Sequence, residues 1–381
     1  MTKKKILFLT GTRADFGKLK SLIQISQSSS KYDVHIFATG MHMNSKYGCT
    51  VDEIEKSGFK NIFKYINHDT IEHMDRTLAK TIEGLSHYIS QLQPDMIVVH
   101  GDRVEAMAGA IVGSLNNILV THIEGGEVSG TIDELIRHAV TKMSHIHLVS
   151  NEKAERRLIQ LGEKEESIFI VGSPDLDIMN SNRLPSLEEV KHHYNIKFDN
   201  YSLAMFHPIT TEYDHIAVYA NNFVQALIDS GKNYVLIYPN NDLGSNEILK
   251  AYEKIHGNSR FKVFPSLRFE YFLTLLKFSE FMIGNSSAGI REAPYYNVPT
   301  VDIGSRQLNR VNLKSVRNCG YELASISEAI KHVSNSVFNN SWKERHSFGK
   351  GRSDHLFFKL LESEEFWQIK CQKQFKDLAI T

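Results

Sequence analysis

The fold class can be read from one stretch, Met96-Ile-Val-Val-His100-Gly-Asp102-Arg103-Val-Glu105. An apolar run of four residues ends there in charged side chains, and the run Ile118 to Ile123 ends in the same way at Glu124. Such uninterrupted apolar runs are typical of parallel strands that are buried on both faces, and ligands of open α/β sheets gather at the carboxyl ends of those strands. We therefore expect a parallel sheet with Asp102, Arg103, Glu124 and Glu127 at one crevice.

The same pattern of a strand followed by a helix continues along the whole chain. Predicted strands begin at Lys4, Asp33, Met96, Ile118, His145, Ile168, Tyr201, Tyr234, Phe261, Phe281 and Thr300. Strands that alternate with helices in this way form right-handed βαβ units and parallel sheets. The sequence predicts an α/β protein of two Rossmann-like domains, at 1–171 and 172–353. Gly172 to Pro185 is the expected linker, and a helix at 354–381 is expected to pack back on the first domain.

Composition narrows the choice of partners. The chain has 44 Lys and Arg against 44 Asp and Glu, and this neutral balance argues against binding to nucleic acid or to anionic membranes. No apolar run approaches the roughly 18 residues of a membrane span, and the short run after Lys5 lacks the features of a signal peptide. The three cysteines, Cys49, Cys319 and Cys371, are odd in number and far apart. We therefore expect a cytoplasmic protein with reduced thiols.

A loop after the first predicted strand has the composition of an anion site. It reads Gly11-Thr-Arg13-Ala-Asp15-Phe-Gly17-Lys18, which nearly spells a P-loop. Its glycines are one residue too far apart, and Leu19 replaces the Ser or Thr that would bind magnesium. Arg13 and the amides at the start of a helix could bind phosphate there. The alternative is an ordinary strand-to-helix turn.

A second loop of this kind lies in the other half of the chain. It reads Gly284-Asn-Ser286-Ser287-Ala-Gly-Ile-Arg-Glu292 and leads from a strand into a predicted helix. Small residues let backbone N–H groups approach a diphosphate, the helix dipole favours its charge, and Glu292 could bind both hydroxyls of a ribose. The alternative is a helix capped by Ser287 with a solvated Glu292. Two parallel-sheet domains whose phosphate-type loops face each other across a cleft describe the GT-B architecture of nucleotide-sugar enzymes.

Neither a metal nor a redox cofactor is expected. His145 and His147 would lie on one face of a strand, but no cysteine or carboxylate follows at ligand spacing. The chain also lacks the G-x-G-x-x-G motif that is typical of dinucleotide sites. The sequence therefore predicts a functional site whose chemistry depends on protein side chains, without a metal or a redox cofactor.

Taken in order, the motifs of this chain resemble those of the hydrolysing UDP-N-acetylglucosamine 2-epimerase family. The matching stretches are residues 11–17, 100–103, 122–133, 136–138 and 284–292. The likeness extends from Lys5 to about Asp377, and it is closest to bacterial enzymes of the sialic acid pathway. The long stretch from His122 to Gly130 favours this hydrolysing branch over the non-hydrolysing epimerases, which share the fold.

The resemblance implies a GT-B fold, UDP-N-acetylglucosamine (UDP-GlcNAc) as substrate, and UDP and free N-acetylmannosamine (ManNAc) as products. It implies anti elimination of UDP to a 2-acetamidoglucal followed by syn hydration, as the first step of sialic acid biosynthesis for capsule polysaccharide. It also implies a homodimer without metal or redox cofactor. A sibling that acts on UDP-N,N'-diacetylbacillosamine usually has Glu-Tyr where this chain has Asp15-Phe16, so that sugar is the alternative substrate.

The resemblance also assigns roles to particular residues. Asp102, Glu124 and Asp133 match the catalytic carboxylates, and His207 matches a histidine beside the diphosphate. Asp102 and Glu124 are expected to handle the C2 proton, and Asp133 to assist the water step. Arg103 is expected to anchor phosphate or to orient Asp102. The residues that match nucleotide contacts are Arg13, Asn240, Ser286, Ser287, Glu292 and Arg306.

Competing explanations exist both for the roles of single residues and for the activity of the protein. Any one of these carboxylates could be a helix cap or the ion-pair partner of Arg103 or Arg137. A GT-B glycosyltransferase would use the same fold but would need an acceptor site, and a two-lobed binding protein would need no catalytic groups. Incubation with the sugar nucleotide alone distinguishes the three, because the epimerase needs no acceptor.

Overall fold

The computed structural model describes residues 3–67, 73–180, 184–308, 310, 313–335 and 348–377. These residues form two compact units. The first takes in the described residues within Met1–Glu127, Asp133–Asn182 and Phe348–Thr381, and the second takes in those within Val128–Ile132 and Arg183–Ser347. Each unit is built around one parallel β-sheet whose strands are separated by helices, as the sequence pattern predicts.

The sheet of the first unit has seven strands in the order β3-β2-β1-β4-β5-β6-β7, and neighbouring strands run parallel. The strands are β1 (Lys4–Thr10), β2 (Tyr32–Ala38), β3 (Ile62–Lys64), β4 (Met96–His100), β5 (Leu119–Ile123), β6 (Ile146–Val149) and β7 (Ile168–Ile170). The helices are α1 (Arg13–Ser28), α2 (Val51–Lys56), α3 (Met74–Leu92), α4 (Val104–Leu115), α5 (Ile132–Met143), α6 (Glu152–Gln160), α7 (Asp175–Met179), α14 (Ser353–Glu362) and α15 (Glu364–Trp367). Strands β4, β5 and β6 are buried along their whole lengths, which accounts for their apolar runs.

The sheet of the second unit has six parallel strands in the order β10-β9-β8-β11-β12-β13. The strands are β8 (Ser202–Met205), β9 (Tyr234–Ile237), β10 (Phe261–Phe264), β11 (Met282–Gly284), β12 (Thr300–Ile303) and β13 (Val316–Cys319). The helices are α8 (Leu187–His193), α9 (Ile216–Asp229), α10 (Ser245–Tyr252), α11 (Phe269–Lys277), α12 (Glu292–Tyr295) and α13 (Leu323–Asn335). Across the described ranges of both units, no helix combines the length and hydrophobicity that crossing a membrane requires.

Apolar runs do not reveal two short edge strands, β3 and β13. The first carries Lys64 and the second carries Arg317 and Asn318, and both strands are partly exposed. An edge strand has a partner on one side alone, so polar side chains are tolerated there and interrupt the apolar run. The number of strands expected from the sequence is therefore one too low in each sheet.

The segment after β7 belongs to the first unit instead of forming a linker. Ser173 and Asp175 are buried, and α7 begins at Asp175. The prediction of a linker at Gly172 to Pro185 is wrong for this first part, and residues 181–183 lie outside the described residues. The domain boundary expected between residues 171 and 172 thus falls before the end of the first unit.

Helix α14 packs in the core of the first unit. The carboxylate of Asp177 accepts hydrogen bonds from the N–H groups of Ser353 and Asp354, both at 2.8 Å, and so caps the start of the helix. Phe357 is fully buried, and its ring centroid lies 6.3 Å from that of Phe8. Strand β1 and the C-terminal segment therefore share one hydrophobic core.

The helix predicted at 354–381 is wrong in its length. Helices α14 and α15 account for its first part, the chain that follows is neither helix nor strand, and residues 378–381 lie outside the described residues. Lys373 holds this tail, because its Nζ atom donates to the carbonyl groups of Thr141 at 2.8 Å and Ser144 at 2.7 Å, at the end of α5. A cation at this place satisfies carbonyl groups that the end of a helix leaves without partners.

Replacing Phe357 by Ala should destabilise the first unit. Because Phe357 is 0% exposed, the truncation leaves a cavity, which typically costs about 3–5 kcal/mol. Leu356→Ala is the control, since this neighbour on the same helix is 40% exposed and its truncation should cost about 0.5 kcal/mol or less. Urea denaturation followed by circular dichroism measures both changes. Equal losses for the two variants would contradict the packing described for α14.

Candidate functional site

In the first unit, the turn after β1 is shaped by Asp15. Its carboxylate accepts hydrogen bonds from the N–H groups of Gly11 and Thr12, both at 2.9 Å. Thr12 accepts in return from the N–H of Asp15, which completes a capping box at the start of α1. The backbone N–H groups of Gly11 and Thr12, which the hypothesis of an anion site needs as donors, are therefore already hydrogen-bonded to Asp15. An anion at this turn would depend on the side chain of Arg13, which pairs with Glu53 at 2.7 Å.

A buried cluster of charged and polar side chains surrounds Glu124. The Nζ atom of Lys18, on α1, lies 3.2 Å from Oε1 of Glu124 and 3.9 Å from Oδ2 of Asp175. The hydroxyl of Ser173 donates to the same Oε1 at 3.1 Å, and Nε2 of His100 lies 3.3 Å from it. Because a carboxylate is costly to bury without a cation, Lys18 compensates the two acidic residues that flank it.

The backbone of Glu124 adopts a left-handed conformation. Its φ is +68°, a region that costs a residue with a side chain roughly 1–2 kcal/mol. The chain turns here directly after β5, and the N–H of Glu124 donates to the carbonyl group of Leu148 on β6 at 3.1 Å. A strained backbone persists where the surrounding structure imposes it, and such residues cluster at functional sites.

Asp102 follows β4 and pairs with Arg137 from α5. The side chain of Arg137 is 1% exposed, and its Nη2 atom contacts Oδ2 of Asp102. Nη1 of the same guanidinium donates to the carbonyl group of Glu127 at 3.4 Å. The ion pair that the sequence offers as an alternative for Asp102 is therefore present. The side chain of Asp102 is nevertheless 26% exposed, so a ligand can reach it.

The register of the sheet puts Asp102 and Glu124 after the ends of two neighbouring strands. His100, the last residue of β4, pairs with Ile123, the last residue of β5, so the two carboxylates follow neighbouring strand ends. Asp133 lies in the first turn of α5 and is partly exposed. Charge at the ends of apolar runs points to Asp102 and Glu124, and the family resemblance points to all three residues.

Arg103 is held by Glu105. Its Nε atom donates to Oε2 of Glu105 at 3.2 Å, and Glu105 is 2% exposed. A Cβ atom at Gly11 would lie 2.9 Å from this carboxylate group, so Glu105 also occupies the space beside the turn after β1. Arg137 is thus the cation that pairs with Asp102, whereas the guanidinium of Arg103 is oriented by its own buried carboxylate.

The sequence assigns no role to the two charged neighbours in the Glu124 cluster, Lys18 and Asp175, nor to Ser173 and His100. Asp175 follows β7 closely, and the rule that places ligands at strand ends, applied to β7, would have pointed to it. Lys18 ends a stretch that resembles a P-loop, and nothing in its local sequence separates it from a solvated lysine. Its burial depends on partners that lie far away along the chain.

In the second unit, His207 follows β8 and is fixed by neighbouring polar groups. The side chain of Asn285 accepts from the N–H of His207 at 2.7 Å and donates to its carbonyl group at 2.8 Å. The N–H of Asn240 donates to Nδ1 of the ring at 3.0 Å. A nitrogen that accepts a hydrogen bond carries no proton in the neutral ring, so Nε2 is the donor. His207 can therefore donate a hydrogen bond to an anion.

Strand β11 ends at a glycine that no other residue could replace without movement of the backbone. Gly284 has φ +136°, and a Cβ atom there would lie 1.8 Å from the carbonyl oxygen of Met205 on β8. This close approach of the two strands brings Asn285 beside the chain that follows β8. The contact between Asn285 and His207 depends on it.

The loop after β11 is wound more tightly than the sequence predicts. The Oγ atom of Ser286 accepts from the N–H of Ala288 at 3.3 Å and caps a single 3-10 turn, Ser287–Gly289. Glu292 begins the four-residue helix α12 and is 4% exposed. The alternative with Ser287 as cap and a solvated Glu292 is therefore wrong. The expectation of a longer helix with Glu292 inside it is wrong as well, and so short a helix contributes little dipole.

Arg306 reaches the same place from the loop after β12. Its Nη1 atom donates to the carbonyl group of Asn285 at 3.3 Å. Asn240 contributes its backbone to His207, while its side-chain Nδ2 contacts Asp242. The second unit thus gathers His207, Asn240 and Arg306 around Asn285, a residue of the quoted loop to which the sequence analysis gives no role.

His145 and His147 serve the packing of the first unit. Nδ1 of His145 accepts from the N–H of Val120 at 3.0 Å, and Nε2 of His147 lies 3.0 Å from Oε2 of the buried Glu163. Burial alone would raise the pKa of Glu163, but the hydrogen bond with His147 and the charge of Lys373 lower the pKa to about 2. Within the described part of the chain, no group of three or more His, Cys, Asp or Glu side chains could hold a metal ion.

Asp302, on β12, should make the stability of the second unit fall as the pH rises. It is 3% exposed, and burial raises its pKa from 3.8 to about 7, against the lowering effect of Arg306 and Arg310. A carboxyl group whose pKa is higher in the folded state contributes stability that is fully present below its unfolded pKa and is lost as the pH rises through its folded pKa.

The test is Asp302→Asn, which removes this titration. We compare the free energy of unfolding of the variant with that of the original protein at each pH. The difference, variant minus original, should be about 1–3 kcal/mol larger at about pH 8 than at about pH 5. Urea denaturation at the two pH values measures the gain, with the exposed Asp214→Asn as the control. A difference that stays constant with pH would show that Asp302 is not the titrating group.

The chain is similar to known proteins along nearly its whole length. Residues 24–362 match the family model described as UDP-N-acetylglucosamine 2-epimerase. The chain is 47% identical over 378 residues to a UDP-N-acetylglucosamine 2-epimerase of Neisseria meningitidis serogroup B, with 99% of this chain and 100% of the relative covered. It is 32% identical to a UDP-N,N'-diacetylbacillosamine 2-epimerase (hydrolyzing) of Legionella pneumophila, with 94% and 96% covered.

A solved structure shows the same fold. The UDP-GlcNAc 2-epimerase of Methanocaldococcus jannaschii, in complex with UDP-GlcNAc and UDP, is similar to this chain with a TM-score of 0.79 at 23% identity, with 94% of this chain and 99% of that one covered. At this identity the likeness concerns the fold alone. The prediction of a GT-B-like fold made of two parallel-sheet domains is confirmed.

Proposed function

Because the chain belongs to the UDP-N-acetylglucosamine 2-epimerase family, we propose that it is a hydrolysing member, which converts UDP-GlcNAc and water into ManNAc and UDP. The observation that carries the proposal is the pair of carboxylates, Asp102 and Glu124, that follow the neighbouring strands β4 and β5. The name of the relative that is 47% identical supports the substrate. The stretch from His122 to Gly130, which resembles the hydrolysing branch, supports the hydrolytic outcome.

The difficult step is the removal of the C2 proton of the sugar, because no carbonyl group stands beside it. Departure of UDP from C1 gives the sugar oxocarbenium character, which makes the C2 proton acidic enough for a carboxylate base. Anti elimination then breaks the C1–O and C2–H bonds and forms the C1=C2 bond of 2-acetamidoglucal. In the syn hydration that follows, the oxygen of water bonds to C1 and water gives one proton to a base. An acid delivers a proton to C2 on the same face of the ring as the new hydroxyl, which is the face opposite to the one that lost the original C2 proton. The result is hydrolysis with inversion at C2.

The first unit is proposed to perform the proton chemistry. Asp102 and Glu124 exchange the C2 proton, and Asp133 assists the water step. Arg137 orients Asp102 from its buried position, and Lys18 compensates the charge of Glu124. Both pairs hold a carboxylate in a fixed orientation, which a group that transfers a proton in the transition state requires.

The second unit is proposed to bind UDP. The Nε2 hydrogen of His207 and the guanidinium of Arg306 would donate to the diphosphate and stabilise the charge that builds up as the bond to C1 breaks. Ser286 and Ser287 would contact phosphate, and the buried Glu292 would accept from the ribose hydroxyls. The other proposed nucleotide contacts are Arg13, Arg103 and Asn240.

The family resemblance supplies the remaining parts of the proposal. The enzyme would be a cytoplasmic homodimer that works without metal or redox cofactor. Free ManNAc would enter sialic acid biosynthesis, because the motifs are closest to those of bacterial enzymes of that pathway.

UDP-N,N'-diacetylbacillosamine is a second candidate substrate, and one observation favours it. The Legionella pneumophila relative that is 32% identical has the name of a hydrolysing epimerase for this sugar. The two sugars differ at C4, where an acetamido group replaces a hydroxyl, and at C6, where the hydroxyl is lost. Initial rates with each sugar nucleotide at equal concentration distinguish them. A higher kcat/KM for the diacetylated sugar would replace UDP-GlcNAc in this proposal.

The purified protein, given UDP-GlcNAc alone, should release UDP and ManNAc without an acceptor. In D2O the ManNAc should carry deuterium at C2, because the proton that returns to C2 comes from solvent. Asp102→Asn and Glu124→Gln should each lower kcat by about 100-fold or more, since a positioned acid or base typically contributes that much. Both variants should still bind UDP, which calorimetry measures.

Glu166→Gln is the control for these variants, because its side chain is 72% exposed and its turnover should be unchanged. A glycosyltransferase would release no ManNAc without an acceptor, and a binding protein would release neither product. Retained turnover in both Asp102→Asn and Glu124→Gln would remove these carboxylates from the mechanism.

Glu292→Ala should act on substrate binding more than on turnover. Loss of its hydrogen bonds to the ribose should raise KM for UDP-GlcNAc about tenfold, with a smaller change in kcat. Steady-state kinetics measures both parameters, and a melting curve checks that the variant is folded, because Glu292 is buried. A low kcat at unchanged KM would be the opposite pattern and would contradict the ribose contact.

A further inference from the structure

The loop that follows β12 runs from Gly304 to Gln307 and carries Arg306, one of the proposed UDP contacts. Gly304 has φ +81°, and its N–H donates to a carbonyl group of β13 at 2.9 Å. Also within the second unit, the carbonyl group of Arg306 accepts from the N–H of Gly130 at 3.2 Å. The main chain is therefore tied on both sides of Ser305. The side chains that hold Ser305 then fix the direction in which Arg306 leaves the loop.

Tyr321 packs against the start of this loop. A Cβ atom at Gly304 would lie 2.1 Å from the phenol ring, so the ring occupies the space that a side chain would need. The ring stacks on that of Tyr219, with centroids 3.7 Å apart and planes inclined by 4°. Burial and the hydrogen bond with Glu212 raise the pKa of Tyr321. Its hydroxyl therefore stays protonated and serves as a donor.

Glu212 joins two loops of the second unit. Its Oε2 atom accepts from the hydroxyl of Tyr321 at 2.6 Å, and its Oε1 atom accepts from the hydroxyl of Ser305. Glu212 lies in the 3-10 segment that follows His207 along the chain. The carboxylate of Glu212 thus links the chain after His207 to the loop that carries Arg306. The side chains of His207 and Arg306 are both proposed to bind the diphosphate.

We infer that Glu212 and Tyr321 are positioning residues for nucleotide binding. Their hydrogen bonds fix Ser305 and the adjoining backbone of Arg306. In this orientation the guanidinium of Arg306 donates to the carbonyl group of Asn285, which follows β11. An arginine that must first be ordered loses rotamer entropy when it binds, whereas one already in place does not. The effect should therefore fall on affinity for UDP and not on the proton chemistry. The inference rests on the proposed 2-epimerase function.

Tyr321→Phe is the central test, because it removes one hydroxyl group and keeps the ring that stacks on Tyr219. The hydroxyl donates to Glu212 at 2.6 Å and accepts a longer hydrogen bond, 3.4 Å, from the N–H of Ser305, and both are lost. The Kd for UDP should rise about tenfold, the size expected when a hydrogen bond to a charged group is removed. KM for UDP-GlcNAc should rise by the same factor, and kcat should stay within about twofold of the original value. Calorimetry with UDP and steady-state kinetics with UDP-GlcNAc measure these changes.

Matched variants separate the hydrogen bonds from the packing. Tyr219→Phe removes the hydroxyl from the other ring of the stack and leaves both contacts of Glu212 in place, so it should not change the Kd for UDP. Glu212→Ala breaks both contacts and should weaken UDP binding more than Tyr321→Phe does. Glu212→Gln, which keeps a hydrogen-bonding side chain of the same length, should restore part of the affinity. Melting temperatures check that each variant is folded.

The possible outcomes are distinct. Original protein that binds no UDP would refute the proposed function itself. If it binds UDP, and folded Tyr321→Phe and Glu212→Ala bind UDP equally well, the inference is overturned and the proposed function stands. A lower melting temperature at unchanged Kd would overturn it too, because the contacts would then serve stability alone. A fall in kcat at unchanged KM would also overturn it, because the two residues would then act on the chemistry.

Discussion

The parallel arrangement of the strands is the constraint on which the polar clusters of both units depend. In a parallel sheet the carboxyl ends of all strands lie along one edge, so residues that follow different strands meet there. In the first unit this brings Glu124, after β5, into contact with Ser173, after β7. In the second unit it brings His207, after β8, into contact with Asn240, after β9, and with Asn285, after β11. Residues that are far apart along the chain become neighbours without any special connection.

The two units handle charge in different ways. In the first, buried carboxylates are matched with cations from helices, as Glu124 is with Lys18 and Asp102 is with Arg137. A buried charge is tolerated when a partner of opposite sign is held beside it. In the second, neutral groups of Asn240 and Asn285 hold His207 by hydrogen bonds. Such a division suits the proposed reaction, in which one unit moves protons and the other binds a diphosphate.

The sequence predicts those features whose cause is local. Strands that are buried on both faces leave an apolar run, whereas the edge strands β3 and β13 do not, because polar residues are tolerated there. Charge after an apolar run points to Asp102 and Glu124. The sequence does not predict the burial of Lys18, because that burial depends on Glu124 and Asp175, which lie far along the chain. The tight loop after β11 differs from the predicted helix because the side chain of Ser286 stabilises a 3-10 turn.

The left-handed backbone at Glu124 has a consequence for how this protein can evolve. Glycine adopts that φ without steric cost, so a change to glycine would relax the main chain, while Lys18 would keep Asp175 as a counter-charge. The same change would remove the buried carboxylate that Lys18, Ser173 and His100 contact, so the loss of these contacts would offset the relief of the strained φ. Main chain and side chain thus place opposite demands on this position: the backbone would favour glycine, whereas the surrounding polar groups require a carboxylate.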